Sequence, residues 1–160
     1  MSGSGEDGAK REVRGTLVKV LLHRRTDRGM TLEPYTSRCV RRGELHELVA
    51  TDQDGAPPGA RIDRVGFLGF AELTCAGVID RGDVCWIGGL RIGTVLGFDA
   101  CHFPNHYNIL IATAGPPIAG PPIAGPSNAE PPTAGLPTGG SLRLRPELPV
   151  TFTASPAARP

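Results

Sequence analysis

The stretch GFDACHFPNHYNILI, residues 97–111, is the densest group of side chains in the chain that could do chemistry. Histidine suits this role because its imidazole exchanges a proton near neutral pH, and loops next to strands commonly present such groups. We therefore predict a site here. The candidate catalytic residues are His106, His102 and Asp99, and the candidate ligand-binding residues in the same stretch are Cys101, Asn105, Tyr107 and Asn108.

A metal site is an alternative interpretation of the same stretch. His102 and His106 are four residues apart, which on a helix would place both imidazoles on one face. Pro104 lies between them and would break a helix, and on an extended chain the two positions lie about 13 Å apart. Only a tight turn at FPN would bring them together, with Cys101 or Asp99 as a third ligand. We therefore expect no cofactor and leave a metal at His102 and His106 open.

His106 is the preferred candidate for general acid–base chemistry or ligand orientation. It lies where a loop meets a predicted strand, and Asn108, two residues further on, should share its face. A cysteine–histidine nucleophile pair is less favoured, because Cys101 and His102 are adjacent and would point to opposite faces of a strand. An equally open interpretation is that His106 and Asn108 only satisfy backbone groups at a barrel rim.

Two further ligand-binding candidates lie outside this stretch. Glu72 follows the apolar run GFLGFA and could face a barrel lumen. Trp86 is the single tryptophan of the chain, and its alternative role is that of a core residue.

Short apolar runs separated by glycine and aspartate predict the elements that must position these residues. Many short strands with turn residues between them are typical of an all-β sandwich or barrel. We predict a closed or partly open pseudobarrel of six to eight short, mostly antiparallel strands. The runs are TLVKVLLH (16–23), RIDRVGFLGF (61–70), LTCAGVI (73–79), VCWIGG (84–89), LRIGTVLGF (90–98) and HYNILIAT (106–113), and ELHELVAT (44–51) fits either a helix or a strand.

Composition divides the chain into one domain with irregular segments. The predicted domain comprises residues 14–113 and 140–153. We expect a disordered N-terminus (1–13), a flexible proline-rich insertion (114–139) and a disordered C-terminus (154–160).

Charge and hydropathy restrict the partners. The net charge is +1, without the clustered basic residues that bind phosphate backbones, so we expect no nucleic acid. The sequence contains neither an apolar run long enough to span a membrane nor an apolar leader, so we expect a cytoplasmic protein with no membrane partner. Its four cysteines should be free thiols, with Cys75 and Cys85 in the core. A small molecule is the expected ligand, and a homodimer is left open.

The succession GAPPGARIDRVGFLGFAEL, AGVIDRGDVCWIGGLRIGTVLGF and HYNILI resembles a small actinobacterial family of uncharacterised domains. It is also similar to the glucitol/sorbitol-specific IIA component of bacterial sugar phosphotransferase systems. The resemblance covers residues 16–23, 44–113 and 140–150, and it implies a pseudobarrel of six or more strands. That family accepts phosphate on a histidine in the strand that here reads RVGFLGFAEL, where this chain has none. His106 resembles a later histidine of that family.

The preferred interpretation is a small-molecule-binding β-barrel, either a minor enzyme or an accessory protein of actinobacterial metabolism. The alternatives are a degenerate IIA-like regulatory or binding module and a structural or partner-binding domain. Whether the chain is an enzyme is left open.

Overall fold

The computed structural model describes residues 8–102, 105–113 and 144–155. The predicted proline-rich insertion, 114–139, lies outside the described residues, as do 1–7 and 156–160 of the predicted disordered termini. Residues 8–13 are described. Lys10 forms ion pairs with Asp80 and Asp83, and Val13 begins the first strand.

The described residues form β-strands and no helix, so none of them belongs to a helix that could cross a membrane. The ambiguous segment 44–51 is a strand. The strands are β1 (Val13–Arg25), β2 (Met30–Thr31), β3 (Ser37–Val40), β4 (Leu45–Thr51), β5 (Arg61–Ile62), β6 (Val65–Leu73), β7 (Gly77–Asp80), β8 (Val84–Ile87), β9 (Leu90–Asp99), β10 (Tyr107–Ala112) and β11 (Pro149–Thr153).

Seven of these strands close into a barrel in the order β1–β11–β8–β9–β10–β4–β6. Strands β4 and β10 pair in parallel, and the other pairs of the barrel are antiparallel. The four remaining strands form two small sheets, β2–β5 and β3–β7. The predicted fold class, an all-β pseudobarrel of six to eight mostly antiparallel strands, is confirmed.

Glycines mark the turns and irregularities that let the barrel close. Gly88 and Gly89 join β8 to β9 with φ of 61° and 86°, as a tight hairpin turn requires. Strand β6 shifts register against both β1 and β4 next to Gly69. A Cβ at Gly69 would meet the carbonyl oxygen of Lys19, so only glycine allows this close approach of the strands.

The barrel lumen is filled with apolar side chains from all seven strands. Burial of this apolar surface is the main source of stability for such a domain. Cys85 is among these residues, and Cys75 is also buried, as predicted. Other members are Leu17, Leu48, Leu73, Ile87, Phe98, Ile109, Ile111, Val150 and Phe152.

A second apolar layer lies on the outside of the barrel wall. It is covered by the arm, which we define as β2, β5 and the flanking residues 27–36 and 52–64. The arm contributes Met30, Leu32 and Ile62, and the wall contributes Val49, Val65, Phe67, Leu96, Leu110 and Ala112. The arm therefore covers part of the outer wall of the barrel.

Candidate functional site

A row of side chains crosses the outer face of the barrel wall beside the arm. Residues directly opposite each other on paired strands share a face of the sheet. Leu48 and Ile109, which follow two members of the row in sequence, belong to the lumen, so the row faces outward. In register order its members are Lys19, Phe70, Glu47, Asn108 and Asp99.

Glu47 and His106 form the centre of the site. Glu47 Oε1 lies 3.3 Å from His106 Nε2, and the two side chains are only 8% and 7% exposed. Glu47 is not among the site residues predicted from the sequence. The signal for Glu47 in the sequence is a carboxylate on the same side as Val49 and Thr51 of a buried strand. This signal can be recognised only if residues 44–51 are assigned as a strand and not as a helix.

Two further neighbours fix the orientation of the His106 ring. The side-chain amide of Asn105 lies 2.9 Å from Nδ1, and the ring edge of His106 meets Phe70 at a centroid distance of 5.0 Å. Asn105 Nδ2 can only donate, so Nδ1 accepts and the proton lies on Nε2, where it faces the Glu47 carboxylate. These contacts give the His106 ring a defined orientation.

His102 joins His106 through a turn between β9 and β10. The backbone amides of Asn105 and His106 donate to the His102 carbonyl oxygen at 2.8 and 3.3 Å. The two imidazoles stack with centroids 4.9 Å apart. The sequence left a metal open on the condition that the two imidazoles come together, and in the structure they do. Glu47 completes a group with His102 and His106 in which the potential ligand atoms lie within 4.8 Å of one another.

Arg28, which belongs to the arm, closes the site from the other side. Its Nη2 lies 3.2 Å from His102 Nε2 and 3.4 Å from Cys101 Sγ. A guanidinium can only donate, so His102 Nε2 accepts and the proton of that ring lies on Nδ1. Burial raises the pKa of the Cys101 thiol, and the nearby Asp99 carboxylate raises it further against the opposing effect of Arg28. Cys101 is therefore not activated as a thiolate nucleophile.

Asp99 acts as a structural anchor in this geometry. Its carboxylate accepts hydrogen bonds from the backbone amides of Thr31 and Cys101 at 2.9 and 3.0 Å and from Asn108 Nδ2 at 3.1 Å. Asp99 is 2% exposed and Asn108 is fully buried. These bonds connect the arm, the turn and β10, so Asp99 and Asn108 help to hold the turn that carries the two histidines in place.

Three predicted ligand-binding residues lie away from this cluster. Tyr107 faces the opposite side of β10, where the Arg38 guanidinium lies 3.7 Å from its ring centroid. Glu72 is exposed to solvent and does not enter the lumen. Trp86 lies on β8 and donates from Nε1 to Thr153 Oγ1 at 2.9 Å.

A depression of about 300 Å³ opens beside His106. Its walls are mostly apolar, and it is open to solvent. Two of its lining residues, Val18 and Leu45, are among the few large hydrophobic side chains that are exposed in the described part of the chain. The complete lining is Val18, Lys19, Leu45, Phe70, Asn105 and His106.

Comparisons with known proteins give a family without an activity. Residues 7–121 match the model of a family described as "Family of unknown function (DUF6917)". No curated protein and no solved structure matches the chain.

Proposed function

We propose that this chain, which belongs to the family of unknown function DUF6917, is a small-molecule-binding β-barrel whose site lies around His106 on the outer wall. The observation that carries this proposal is the position of His106. Its ring is held by a buried carboxylate on one side and lines an open, mostly apolar depression on the other.

The lining of the depression defines the class of ligand. Val18, Leu45 and Phe70 offer apolar contacts for a flat or aliphatic body, whose burial would drive binding. His106 and Asn105 offer hydrogen bonds for a polar group. Lys19 is exposed at the same wall and favours a negative charge on a second group of the ligand. The ligand is therefore a small amphipathic acid that also carries a hydrogen-bond donor, with its carboxylate near Lys19 and its donor at Nδ1 of His106.

Asn105 makes the site adaptable. Its side chain is exposed and occupies Nδ1 of His106 through a single hydrogen bond of 2.9 Å. A hydrogen-bond donor of the ligand, such as a hydroxyl group, can replace this amide at Nδ1 without breaking the buried contact to Glu47. The imidazole then keeps its orientation while the ligand binds, which limits the entropy lost on binding.

A pair of matched probes tests the proposal. We would measure the thermal midpoint and the amide NMR spectrum of the full chain with benzoate derivatives and with the corresponding benzamides, in the presence of a metal chelator. A ligand at 100 times its Kd stabilises a protein by about 2.7 kcal/mol, so binding is measurable as a rise in midpoint. Acids should bind more tightly than amides, and the shifted resonances should surround His106.

Variants separate this site from nonspecific binding. His106→Ala and Phe70→Ala should abolish the stabilisation by benzoates, whereas His23→Ala, a change at an exposed histidine outside the depression, should retain it. Lys19→Gln should remove the preference for acids over amides. The proposal fails if no probe binds, or if the His106→Ala variant binds as the wild type does.

We also propose that the chain shares ancestry with the glucitol/sorbitol-specific IIA component and that it is of actinobacterial origin. This proposal does not extend to phosphate transfer, because β6, where that family carries its phosphoacceptor histidine, contains no histidine in this chain.

A further inference from the structure

We infer that Glu47, His102 and His106 bind a divalent transition-metal ion of the Zn²⁺ class. The inference shares His106 with the proposed small-molecule site but does not require that site to exist. It rests on the geometry of three side chains that converge from strand β4 and from the turn between β9 and β10.

The distances fit a metal better than they fit a hydrogen-bonded pair. A strong hydrogen bond between imidazole and carboxylate spans about 2.7–2.9 Å, whereas Glu47 Oε1 and His106 Nε2 are 3.3 Å apart. Two ligands of a tetrahedral ion with bonds of about 2.1 Å are separated by about 3.4 Å. This pair therefore already has the spacing of one edge of a coordination tetrahedron.

His102 supplies the third ligand after a small movement. The three potential ligand atoms lie within 4.8 Å of one another, so the longest separation must shorten by at most about 1.4 Å. His102 is exposed and lies in the turn, where the contact with Arg28 and the stack on His106 hold it instead of buried packing. Glu47 and His106 are buried and provide the fixed part of the site.

Asn105 can support the metal-bound form of His106. When Nε2 binds the ion, the ring proton must lie on Nδ1. The exposed Asn105 amide then turns over and accepts that proton through Oδ1, in place of the present donation from Nδ2. Such a partner on the second nitrogen is the usual way in which a metal-bound histidine is oriented.

The donor set selects the class of ion. Two imidazoles and one carboxylate suit Zn²⁺, Co²⁺ and related ions, whereas Mg²⁺ and Ca²⁺ prefer all-oxygen sites. Three protein ligands leave a fourth position for water or another molecule. His106 is the member of this group that also lines the depression.

Cobalt titration of the full chain tests the inference. The protein is stripped with a chelator, kept reduced with a phosphine and titrated with Co²⁺, whose tetrahedral complexes absorb visibly. We expect one equivalent to bind without a thiolate-to-cobalt band. His102→Ala, Glu47→Gln and His106→Ala should each weaken binding by more than the roughly 10–100-fold that loss of a supporting partner costs. Displacement by Zn²⁺ should then remove the absorption.

Control variants make the result decisive. His23→Ala removes an exposed imidazole outside the group and should bind cobalt as the wild type does. Cys39→Ser and Cys101→Ser should do the same, since both thiols are exposed and lie outside the group. His102→Ala is the variant least at risk of misfolding, because its side chain is exposed. Lys19→Gln should lose the preference for acids over amides but keep cobalt, which separates this inference from the proposed function.

The inference is overturned if the wild type binds no saturating equivalent of cobalt. It is also overturned if His102→Ala binds cobalt with wild-type affinity while its metal-free thermal midpoint is unchanged, or if a thiolate band shows that cysteine holds the ion.

Discussion

Glu47 Oε1 and His106 Nε2 lie 3.3 Å apart although 59 positions separate the two residues in the chain. The parallel pairing of β4 with β10 produces this contact. It places Glu47 directly opposite Asn108, two residues after His106, which immediately precedes β10. The barrel wall thus supplies a fixed carboxylate, and the turn between β9 and β10 supplies the imidazoles.

The two histidines of the site should occupy opposite tautomers. In the metal-free protein His106 carries its proton on Nε2, facing Glu47, and His102 carries its proton on Nδ1, because Arg28 donates to its Nε2. Long-range ¹H–¹⁵N spectra of the imidazoles at about pH 8, where an ordinary histidine is neutral, distinguish the two forms. Glu47→Ala should leave His106 with mixed tautomers and His102 unchanged. Equal tautomers in the wild type would contradict the assignment.

Asp99 should prove to be an anchor of the fold. Asp99→Ala leaves three donors without their acceptor, from Thr31, Cys101 and the buried Asn108, and should lower the free energy of unfolding by about 2–4 kcal/mol. Urea denaturation measures the loss. Asp54→Ala, a change at an exposed carboxylate, should stay within about 0.5 kcal/mol of the wild type. If Asp99→Ala changes the free energy of unfolding by as little as Asp54→Ala does, Asp99 is not an anchor and is again a candidate catalytic residue.

Most strands of this fold could be predicted from sequence because each of them carries a local signal, whereas β2 and β3 lie outside the predicted runs. The β8–β9 hairpin follows from Gly88 and Gly89, and β10 follows from its aliphatic run. The candidate site was predictable only in part. His102 and His106 are close in sequence, but Glu47 lies in a segment whose pattern also fits a helix, and its partner is chosen by a long-range parallel pairing. Such pairing depends on closure of the whole barrel, which no local pattern encodes.

The sides of the strands were harder to predict than their positions. Glu72 was a candidate for the lumen, yet the lumen is filled by apolar residues and Glu72 faces solvent. The register shifts near Gly69 contribute to this, because a one-residue shift moves a side chain to the other face of a strand. The same alternation places Tyr107 opposite His106 and Asn108.

Lys10 and two aspartates should give the protein a pH-dependent contact between the segment before β1 and the end of β7. Lys10 Nζ lies 2.6 Å from both Asp80 Oδ2 and Asp83 Oδ2. Burial alone would raise the pKa of Asp80, but the hydrogen bonds from Lys10 and Ser37 outweigh it and hold that pKa below 3.8. Burial dominates at Asp83, whose side chain is 6% exposed, and raises its pKa.

The two carboxylates therefore act in opposite directions on stability. A carboxyl with a lowered pKa stabilises the fold above its unfolded pKa, and this contribution is lost as the pH falls through the folded value. The stability difference between wild type and Asp80→Asn should thus be largest above about pH 4 and shrink below it. For Asp83→Asn the difference should change in the opposite direction. Urea denaturation from about pH 7 to pH 2.5 measures both, with Asp27→Asn, at an exposed surface pair, as control.

Arg28 should oppose metal binding at the inferred site. Its guanidinium donates to His102 Nε2 at 3.2 Å, so it occupies one of the two ring nitrogens through which His102 can bind an ion and adds a positive charge next to the site. Arg28→Gln removes the charge and weakens the competing contact, and we expect cobalt to bind about 3–30-fold more tightly, which corresponds to roughly 0.7–2 kcal/mol. The same titration measures this change. Arg91→Gln, at an exposed arginine near the opposite end of β9, controls for the loss of one positive charge and should leave the affinity unchanged. Weaker binding by Arg28→Gln would mean that the arginine supports the site, as it would if the site held an anion instead of a metal ion.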